Sequence, residues 1–573
     1  MASLQRVKVK GHSYWRIVES RRVNGKPRIF VLLHLGKADD ILARIQGAQS
    51  LRLASHSHGA VAAIHALAQE LDIKGTIDRH MASFGRRDRR QNTPLKDPLR
   101  KPLLHDGLTT GHSLELICIN RVCHPTSKMA FAQWAETTTL ETLAGVDLKP
   151  LTSRHFWDQM DQIPVEALAL IEKDIVEKAI ERYQIPLDTL LYDATNFFTF
   201  IATQNTHCQL PKRGHNKQKR HDLRQVGVAL LCNKGQGIPL LSQVYGGSRS
   251  DAKSFADVLP SIKQRLLDLK QDFEALTVVY DKGNVSKANQ SAVDNAGIHY
   301  VTSLTVASQR ALVEEADARL EEVELGEDRR VFAYRDQKNI WGAQRTVVVL
   351  ISESLREGQL RGIHQHLASA LVYLKDLSLV LERGKQRREK AALERDIQHR
   401  LAGRPFLSEI LQVAVSGDGK APALTYQVKD EVLDELAQTR LGRMVLITDR
   451  HAWTTAEIIL AYRGQARIEE VFGHFKDPFH VALRPQYHWT DQKLHVHTFT
   501  CVMGYLLGRL LHLRAQREVG YSKSQERLLD TLDTIRKVKV IRAGEKKGLR
   551  LTTQFEEMEP EVKALAQALG ILG

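Results

Sequence analysis

The sequence places three carboxylates where rigid elements would hold them. Asp193 and Asp281 each end a short apolar run with the pattern of a strand, and Glu469 lies in a helix-like stretch. Carboxylate oxygens are the ligands that Mg²⁺ and Mn²⁺ prefer, and two such ions ~3.5–4 Å apart activate a water or a 3′-hydroxyl while stabilising the leaving oxygen of a phosphodiester. We therefore predict that Asp193, Asp281 and Glu469 are catalytic residues and ligands of two Mg²⁺ or Mn²⁺ ions per active site.

Helical phase decides which glutamate of the adjacent pair Glu469 and Glu470 faces such a site. At ~100° per residue, one narrow sector of the helix holds Tyr462, Gln465, Glu469 and Lys476, beside the apolar Ile468, Phe472 and Phe475. The basic residues Arg463, Arg467 and His474 share the other side with Glu470. A helix that buries its apolar face against a sheet therefore aims Glu469 at the sheet edge and leaves Glu470 among basic surface groups.

The charge of the chain favours a polyanionic partner. Lysine and arginine outnumber the acidic residues 82 to 67, which gives a formal net charge of +15. Such an excess supports binding through phosphate contacts and counterion release, so DNA is the expected substrate. The residues Lys212, Arg213, Lys217, Lys219 and Arg220 form a basic loop after the first acidic strand and are predicted to contact it. A solvated surface loop is the competing interpretation.

Other classes of protein are disfavoured. The N-terminus has no apolar signal core, and no apolar run reaches the ~18 residues needed to cross a bilayer, so a cytoplasmic protein without a membrane partner is expected. The five cysteines are scattered without a CxxC pair, which disfavours a disulfide framework and a cysteine zinc site. His488, His495 and His497 form a histidine group, but the apolar segment after them favours the start of a packed helix over a zinc site.

The N-terminal part reads as a small β-element followed by helices. Residues 14–35 alternate around Asn24-Gly25, which is typical of a tight hairpin turn and defines a basic β-hairpin element at 1–50. Helical spacing at 59–71, 114–122 and 165–180 predicts a mainly helical, basic region at 51–185. The basic segment 86–101 makes this region a candidate reader of DNA ends. A solvated connector explains the segment equally well.

The pattern after residue 186 predicts an α/β catalytic core. Five strand-like runs and two helical runs follow in the order βββαβαβ between 186 and 304, and the acidic helix belongs to 451–515. Two of the acids would lie at the carboxyl ends of strands, where open α/β sheets commonly bind ligands. Residues 305–450 break this rhythm and are predicted as an insertion before the last acidic helix, with a helical, basic tail at 516–573.

The residues of the acidic helix resemble the Y-x2-R-x3-E-x6-K signature of DDE transposases of the bacterial insertion-sequence type. The matching positions are held by Tyr462, Glu469 and Lys476. Gln465 stands where the signature has arginine, and Arg463 and Arg467 flank it. The resemblance includes Asp193 in Tyr-Asp-Ala-Thr-Asn and Asp281 in Tyr-Asp-Lys-Gly-Asn, and it covers roughly residues 105–545.

This resemblance implies fold, partners and reaction together. It implies an RNase H-like catalytic domain with an insertion before the glutamate, and DNA-backbone contacts by Tyr462, Lys476 and the residues around Gln465. It further implies a nucleoid-associated protein that binds terminal inverted repeats and target DNA, acts as a homodimer in the synaptic complex, and performs metal-dependent cleavage and 3′-OH strand transfer. A DNA endonuclease or resolvase without joining, and a catalytically inactive DNA-binding relative, remain the alternatives. A phosphatase is disfavoured because it would not need the extended basic surface.

Overall fold

The computed structural model describes residues 2–9, 12–23, 26–39, 41–42, 52–84, 104–202, 204–214, 216, 220–269, 273–326, 329–384, 389–417, 422–484, 486–543 and 549–572. Two predicted DNA contacts, Lys217 and Lys219, lie outside these residues. The hairpin turn Asn24-Gly25 and the basic segment 86–101 also lie outside them.

The chain divides into two compact units. The terminal unit consists of Met1–Ile175, Asp477–Leu483 and Gln492–Gly573. The central unit consists of Val176–Lys476 and Arg484–Asp491, and it carries all three predicted acids.

The strands are, in chain order, β1 Ala2–Val9, β2 His12–Val23, β3 Lys26–Lys37, β4 Arg52–Ser57, β5 Thr189–Thr199, β6 Arg224–Asn233, β7 Pro239–Gly246, β8 Thr277–Tyr280, β9 His299–Leu304, β10 Glu321–Glu324, β11 Arg330–Ile340, β12 Ala343–Ile351, β13 Leu411–Ser416, β14 Ala423–Val428, β15 Arg443–Thr448, β16 Arg536–Ala543 and β17 Leu549–Phe555. The helices are α1 Gly59–Glu70, α2 Ile73–Phe84, α3 Thr110–Cys123, α4 Phe131–Glu136, α5 Leu140–Ala144, α6 Ser153–Asp161, α7 Val165–Tyr183, α8 Asp251–Asp268, α9 Lys287–Ala296, α10 Arg310–Asp317, α11 Glu353–Glu382, α12 Lys390–Leu401, α13 Leu407–Ile410, α14 Asp430–Thr439, α15 Thr455–Arg463, α16 Gln465–Lys476, α17 Asp491–Val519, α18 Gln525–Asp533 and α19 Pro560–Ala568.

A mixed nine-stranded sheet forms the centre of the central unit. Its strand order is β10-β11-β12-β15-β9-β8-β5-β6-β7. The pairs β5–β8 and β8–β9 are parallel, and the other described pairs are antiparallel. The predicted α/β class and the βββαβαβ order from β5 to β9 are therefore confirmed. Their apolar runs read as strands because β6 and β8 are buried almost throughout.

The segment 305–450 contributes to the same sheet and also builds a core of its own. Strands β10, β11, β12 and β15 extend the sheet beyond β9. The helices α11–α14, together with β13 and β14, pack around a separate apolar cluster that includes Leu374, Leu393 and Leu436. Two charged helices, α11 and α12, lie between residues 353 and 401. The extent of the insertion remains a prediction.

One predicted strand end was wrong. Asp193 does not end its strand, because β5 continues to Thr199. The reason is strand pairing: the antiparallel register of β5 with β6 runs unbroken from Leu190 opposite Asn233 to Thr199 opposite Arg224. Asp281, by contrast, does follow the last residue of β8. The sequence could not show this difference because a strand's length depends on its neighbours as well as on its own pattern.

The predicted single helix from Tyr462 to Lys476 was also wrong. A one-residue turn at Gly464 separates α15, which carries Tyr462, from α16, which carries Glu469. Close packing explains why glycine stands there, because a Cβ on Gly464 would lie 3.2 Å from Leu191 Cδ2 of β5 and 2.9 Å from the Ala461 carbonyl oxygen. The apolar pattern continues across the turn, so the pattern alone did not reveal it.

The terminal unit matches most of the expected elements. Strands β2 and β3 pair with Val23 opposite Lys26, which confirms the hairpin, and β1 adds a third strand. The helices expected near 59–71, 114–122 and 165–180 are α1, α3 and α7. The tail expected to be helical also contains β16 and β17, which form a sheet with β4. This pairing joins segments from opposite ends of the chain, which local pattern does not reveal. Within the described part of the chain, no helix has the length and apolar character to span a membrane.

Candidate active site

The two aspartates lie side by side on adjacent strands. Strands β5 and β8 run parallel, and their register pairs Tyr192 with Tyr280. Asp193 follows Tyr192 within β5, and Asp281 follows Tyr280 directly after the end of β8, so their backbones are expected about one strand spacing, ~4.8 Å, apart at the same level of the sheet. Two carboxylates that are far apart in the sequence are thus held together by the sheet register.

The packing beneath the aspartates fixes that register. Phe255 of α8 lies with its ring centroid 5.0 Å from that of Tyr192 and 4.8 Å from that of Tyr280. All three rings are fully buried. Because a close-packed core leaves little room for displacement, the residues that follow the two tyrosines are held with little freedom.

The acidic helix presents its third carboxylate as the phase argument predicted. Helix α16 buries the apolar side chains Ile468, Val471, Phe472 and Phe475. Glu469 is exposed, and its charge acts on Asp193. Glu470 instead forms surface ion pairs, with 2.6 Å between Arg467 Nη1 and its Oε2. The predicted difference in direction between the two glutamates is confirmed.

Electrostatics at Asp193 show that negative charge is concentrated here. Burial, followed by the charges of Asp281, Asp251 and Glu469, raises the pKa of Asp193 to about 7, against a donated hydrogen bond from the Ala194 backbone N–H. Like charges and desolvation both disfavour the ionised form of a carboxylate. A cation at this position would offset both effects.

Asp251 is a fourth carboxylate that the sequence interpretation missed. It is the first residue of α8, after the N-cap Ser250. A Cβ on Gly283, in the turn after Asp281, would lie 3.4 Å from Asp251 Oδ2. The helical spacing of apolar residues in the sequence predicts this helix only from Ser254 onward, which does not include Asp251. The acidic residue directly after Ser250 was the available signal, because acids are favoured in the first turn of a helix.

Tyr462 orients Asp281. Its hydroxyl donates a hydrogen bond of 2.9 Å to Asp281 Oδ1 and lies 2.7 Å from Ser303 Oγ on β9. Burial and the negative charge of Asp281 raise the pKa of Tyr462, so the hydroxyl stays protonated and remains a donor. Asp281 itself makes no capping bond to the turn that follows it, which leaves its second oxygen for another partner.

Gln465 and Lys476 both contact β5 beside Asp193. Gln465 Nε2 donates to the Tyr192 carbonyl oxygen at 3.4 Å. Lys476 Nζ donates to Thr195 Oγ1 at 2.7 Å and lies 5.9 Å from the centroid of the Phe197 ring. Two of the side chains at positions of the Y-R-E-K signature, Gln465 and Lys476, therefore contact the strand that carries the first acid.

The described part of the basic loop frames an open cavity. Lys212, Arg213 and Arg224 line a cavity of about 460 Å³, and Lys212 is fixed by paired backbone hydrogen bonds to Gln225. Arg220 is engaged nearby, since its guanidinium donates two hydrogen bonds of 2.8 Å to the Asp222 carboxylate. Arg463 is exposed at the end of α15.

The three acids do not form a compact set of ligands around a single point. Among the described residues, the three carboxylates are not gathered with all their ligand atoms within 4.8 Å of one another; the group that meets this condition is His105, Asp106 and His155. A centre with two ions ~3.5–4 Å apart distributes its ligands over both ions, so it accepts a wider spacing than a single ion does. The four carboxylates form a partly exposed cluster of oxygen ligands, and such ligands suit Mg²⁺ or Mn²⁺.

The histidine group near 488–497 lies in a packed environment. His497 is buried within α17, and burial lowers its pKa well below the usual value. Its ring lies 3.7 Å from the Cys501 sulfur one turn further along the helix. The prediction of a packed helix at this position is confirmed.

Comparison with known proteins gives one family. Residues 189–507 match the model of the transposase DDE domain, a range that includes Asp193, Asp281 and Glu469. No curated protein sequence matches the chain. Among solved structures, the chain is similar to piggyBac transposase in a synaptic complex with hairpin DNA, at a TM-score of 0.38 and 8% identity, covering 82% of this chain and 79% of that one.

Proposed function

The chain belongs to the transposase DDE domain family, and we propose that it is the transposase of an insertion sequence. In this proposal it binds the terminal inverted repeats of its own element, cleaves the DNA at the element's ends, and joins the freed 3′-hydroxyls to target DNA. The observation that carries the proposal is the position of Asp193 and Asp281, which directly follow the paired residues Tyr192 and Tyr280 of two parallel strands, with the charge of Glu469 acting on Asp193.

We assign the metal ligands to the carboxylates. Asp193, Asp281 and Glu469 would hold two Mg²⁺ or Mn²⁺ ions, which supply activation of the attacking water or 3′-hydroxyl and stabilisation of the leaving oxygen. Tyr462 keeps Asp281 oriented through its 2.9 Å hydrogen bond. The raised pKa of Asp193 supports the assignment, because perturbed carboxylates cluster at functional sites.

The fold of the core is proposed to be RNase H-like. The support is the sheet segment β7-β6-β5-β8-β9, in which three antiparallel strands are followed by two parallel ones joined by helices. In this arrangement the first acid stands on the central strand of the five and the second follows its parallel neighbour.

DNA contacts are proposed for the basic side chains around the acids. Lys476, Arg463 and Arg467 on α15 and α16 would contact the backbone of the transposon end, and Lys212 and Arg213 would line its path, with Lys217, Lys219 and Arg220 in the same loop. Lysine and arginine at such positions bind phosphate as point charges or bidentate partners. Tyr462 and Gln465 bond within the site itself, so we assign them to positioning Asp281 and β5.

Two transposon ends must be held together before both are joined. We therefore propose that the chain acts as a homodimer on DNA, with one catalytic centre at each end.

A strand-transfer assay tests the proposal. The ends are taken from the DNA that borders the gene, where short inverted repeats flanked by a direct duplication are expected. Pre-cleaved ends with a free 3′-hydroxyl are incubated with protein, Mg²⁺ and a target plasmid. Joined product is expected from the wild type, and Glu469→Gln should lower its yield by about 10²-fold or more, because a ligand of the reacting ions is lost.

Glu470→Gln is the matched control, since this neighbouring glutamate faces the surface. It should leave joining within about twofold of the wild type. Cleavage of intact ends without joining would replace the proposal with an endonuclease. End binding that persists with neither reaction would indicate an inactive relative.

A further inference from the structure

A second cluster of chemistry-bearing side chains lies in the terminal unit. His105 Nδ1 is 3.0 Å from His155 Nδ1, and each of these nitrogens is 2.9 Å from Asp106 Oδ2. Three ligand atoms of the types that transition metals prefer thus form a nearly equilateral triangle. For edges of ~3 Å, one ion can sit ~2 Å from all three atoms on one side of their plane, which matches Zn–N and Zn–O distances.

The outer nitrogens of both rings are held by other groups. His105 Nε2 is 3.3 Å from Asp158 Oδ2, and His155 Nε2 is 2.9 Å from Ser113 Oγ. The Ser113 hydroxyl also lies 2.9 Å from the Thr109 carbonyl oxygen, to which it donates. A carbonyl or carboxylate oxygen only accepts hydrogen bonds, so Asp158 and Ser113 both act as acceptors toward the rings.

This arrangement fixes the tautomer of each ring. If both Nε2 atoms carry the hydrogen and donate outward, both Nδ1 atoms present lone pairs toward each other and toward Asp106. Three lone pairs about 3 Å apart repel one another unless a cation lies between them. Outward hydrogen bonds from the second nitrogen are also what metal-ligating histidines make.

The backbone builds the site from two rigid elements. His105 pairs with Leu108 through two backbone hydrogen bonds, and the residues between them, Asp106 and Gly107, have φ of 49° and 78°. Two left-handed residues in succession make a tight turn of the hairpin type, which projects His105 and Asp106. His155 projects from α6 and its side chain is fully buried. Asp106 is 39% exposed, so an ion can enter from that side.

We propose that His105, Asp106 and His155 bind one divalent transition-metal ion, with Zn²⁺ as the first candidate. Two imidazoles and one carboxylate suit Zn²⁺ and not Mg²⁺, which prefers oxygen ligands. The fourth position is left to water on the exposed side. The ion would fasten the turn at 105–108, which follows the basic segment 86–101 in sequence, to α6.

Zinc binding to the full-length chain tests the proposal. The purified protein is stripped with EDTA, given a small excess of Zn²⁺ and dialysed against buffer that contains excess Mg²⁺ to occupy oxygen-ligand sites, and its zinc content is measured. The wild type should keep about one Zn²⁺ more per chain than Asp106→Asn or His105→Gln, and in titrations these variants should bind at least about 10-fold more weakly.

The chain has 24 histidines, so a matched control is needed to recognise incidental binding. His80 forms a 2.8 Å pair with Asp174 in the same unit but belongs to no three-ligand group among the described residues. His80→Gln should retain the wild-type zinc content. Equal zinc content in the wild type and Asp106→Asn would overturn the proposal. A wild type that retains no zinc would also overturn it. In that case, protons shared among the three side chains hold the cluster together. Circular dichroism of Asp106→Asn and His105→Gln tests whether these variants are folded, so that a loss of zinc binding is distinguished from unfolding.

Discussion

At the scale of single residues, the acidic side chains of the candidate active site lower the stability of the metal-free protein. Asp193 is partly buried among Asp281, Asp251 and Glu469, and its pKa is raised to about 7. In the unfolded chain an aspartate has a pKa of ~3.9. Between these two values the folded chain binds a proton that the unfolded chain does not, so the contribution of Asp193 to stability falls as the pH rises from ~4 to ~7. Above pH ~7 the stability lost through ionised Asp193 no longer changes with pH.

Asp193→Asn should therefore stabilise the protein at pH 8 in EDTA. The amide removes a buried negative charge beside three others, and we expect a rise in melting temperature of roughly 1–4 °C, with a smaller gain at pH 5. Differential scanning calorimetry at the two pH values measures it. Asp222→Asn is the control with the opposite sign, because hydrogen bonding to Arg220 lowers the pKa of Asp222 to about 2. A melting temperature for Asp193→Asn below that of the wild type at pH 8 would mean that the carboxylate is structural.

Residue identity was the level at which the sequence was most informative. The helical period separated Glu469 from Glu470 correctly, because the burial of Ile468 and Phe472 fixes the rotation of the helix. Asp251 was not predicted because its position in the site depends on where α8 begins. Helix starts are set by caps and packing, which the sequence pattern reveals only approximately.

At the scale of elements, the contact between α16 and β5 determines where Glu469 lies. Gly464 allows this contact, since any side chain there would meet Leu191 of β5 and Lys234. Its φ of −54° is ordinary for any residue, so space and not backbone conformation requires the glycine. The sequence showed the glycine but not the neighbour, which is 273 positions earlier in the chain.

Gly464→Ala should displace α16 and lower both stability and joining. The new Cβ would lie 3.0 Å from Lys234 Cγ and 3.2 Å from Leu191 Cδ2, and overpacking of this kind costs about 1–3 kcal/mol in the free energy of unfolding. Gly473→Ala, within α16, is the control, because nothing lies within 4 Å of its Cβ position. That substitution should stabilise by up to ~1 kcal/mol through helix propensity. Urea unfolding compares the two; equal stabilities would contradict the packing account.

At the scale of the whole molecule, the two sites show what sequence reading can and cannot predict. The three acids predicted in the central unit each belong to a local pattern, a strand or a helix, that carries its own signal. The sequence did not predict the group of His105, Asp106 and His155, because the two histidines are 50 positions apart in segments with no shared motif. Only the packing of the turn against α6 brings them together.

The central claim is that three distant stretches of chain converge on bound divalent ions. Iron-mediated cleavage measures this directly: Fe²⁺ replaces Mg²⁺, and ascorbate with peroxide generates hydroxyl radicals that cut the nearest backbone. We expect cuts near residues 193, 281 and 469 that excess Mg²⁺ suppresses and Asp193→Asn abolishes, while any cuts near 105 and 155 persist in that variant. Cleavage that spares all three acidic segments, or that Asp193→Asn leaves unchanged there, would contradict the account.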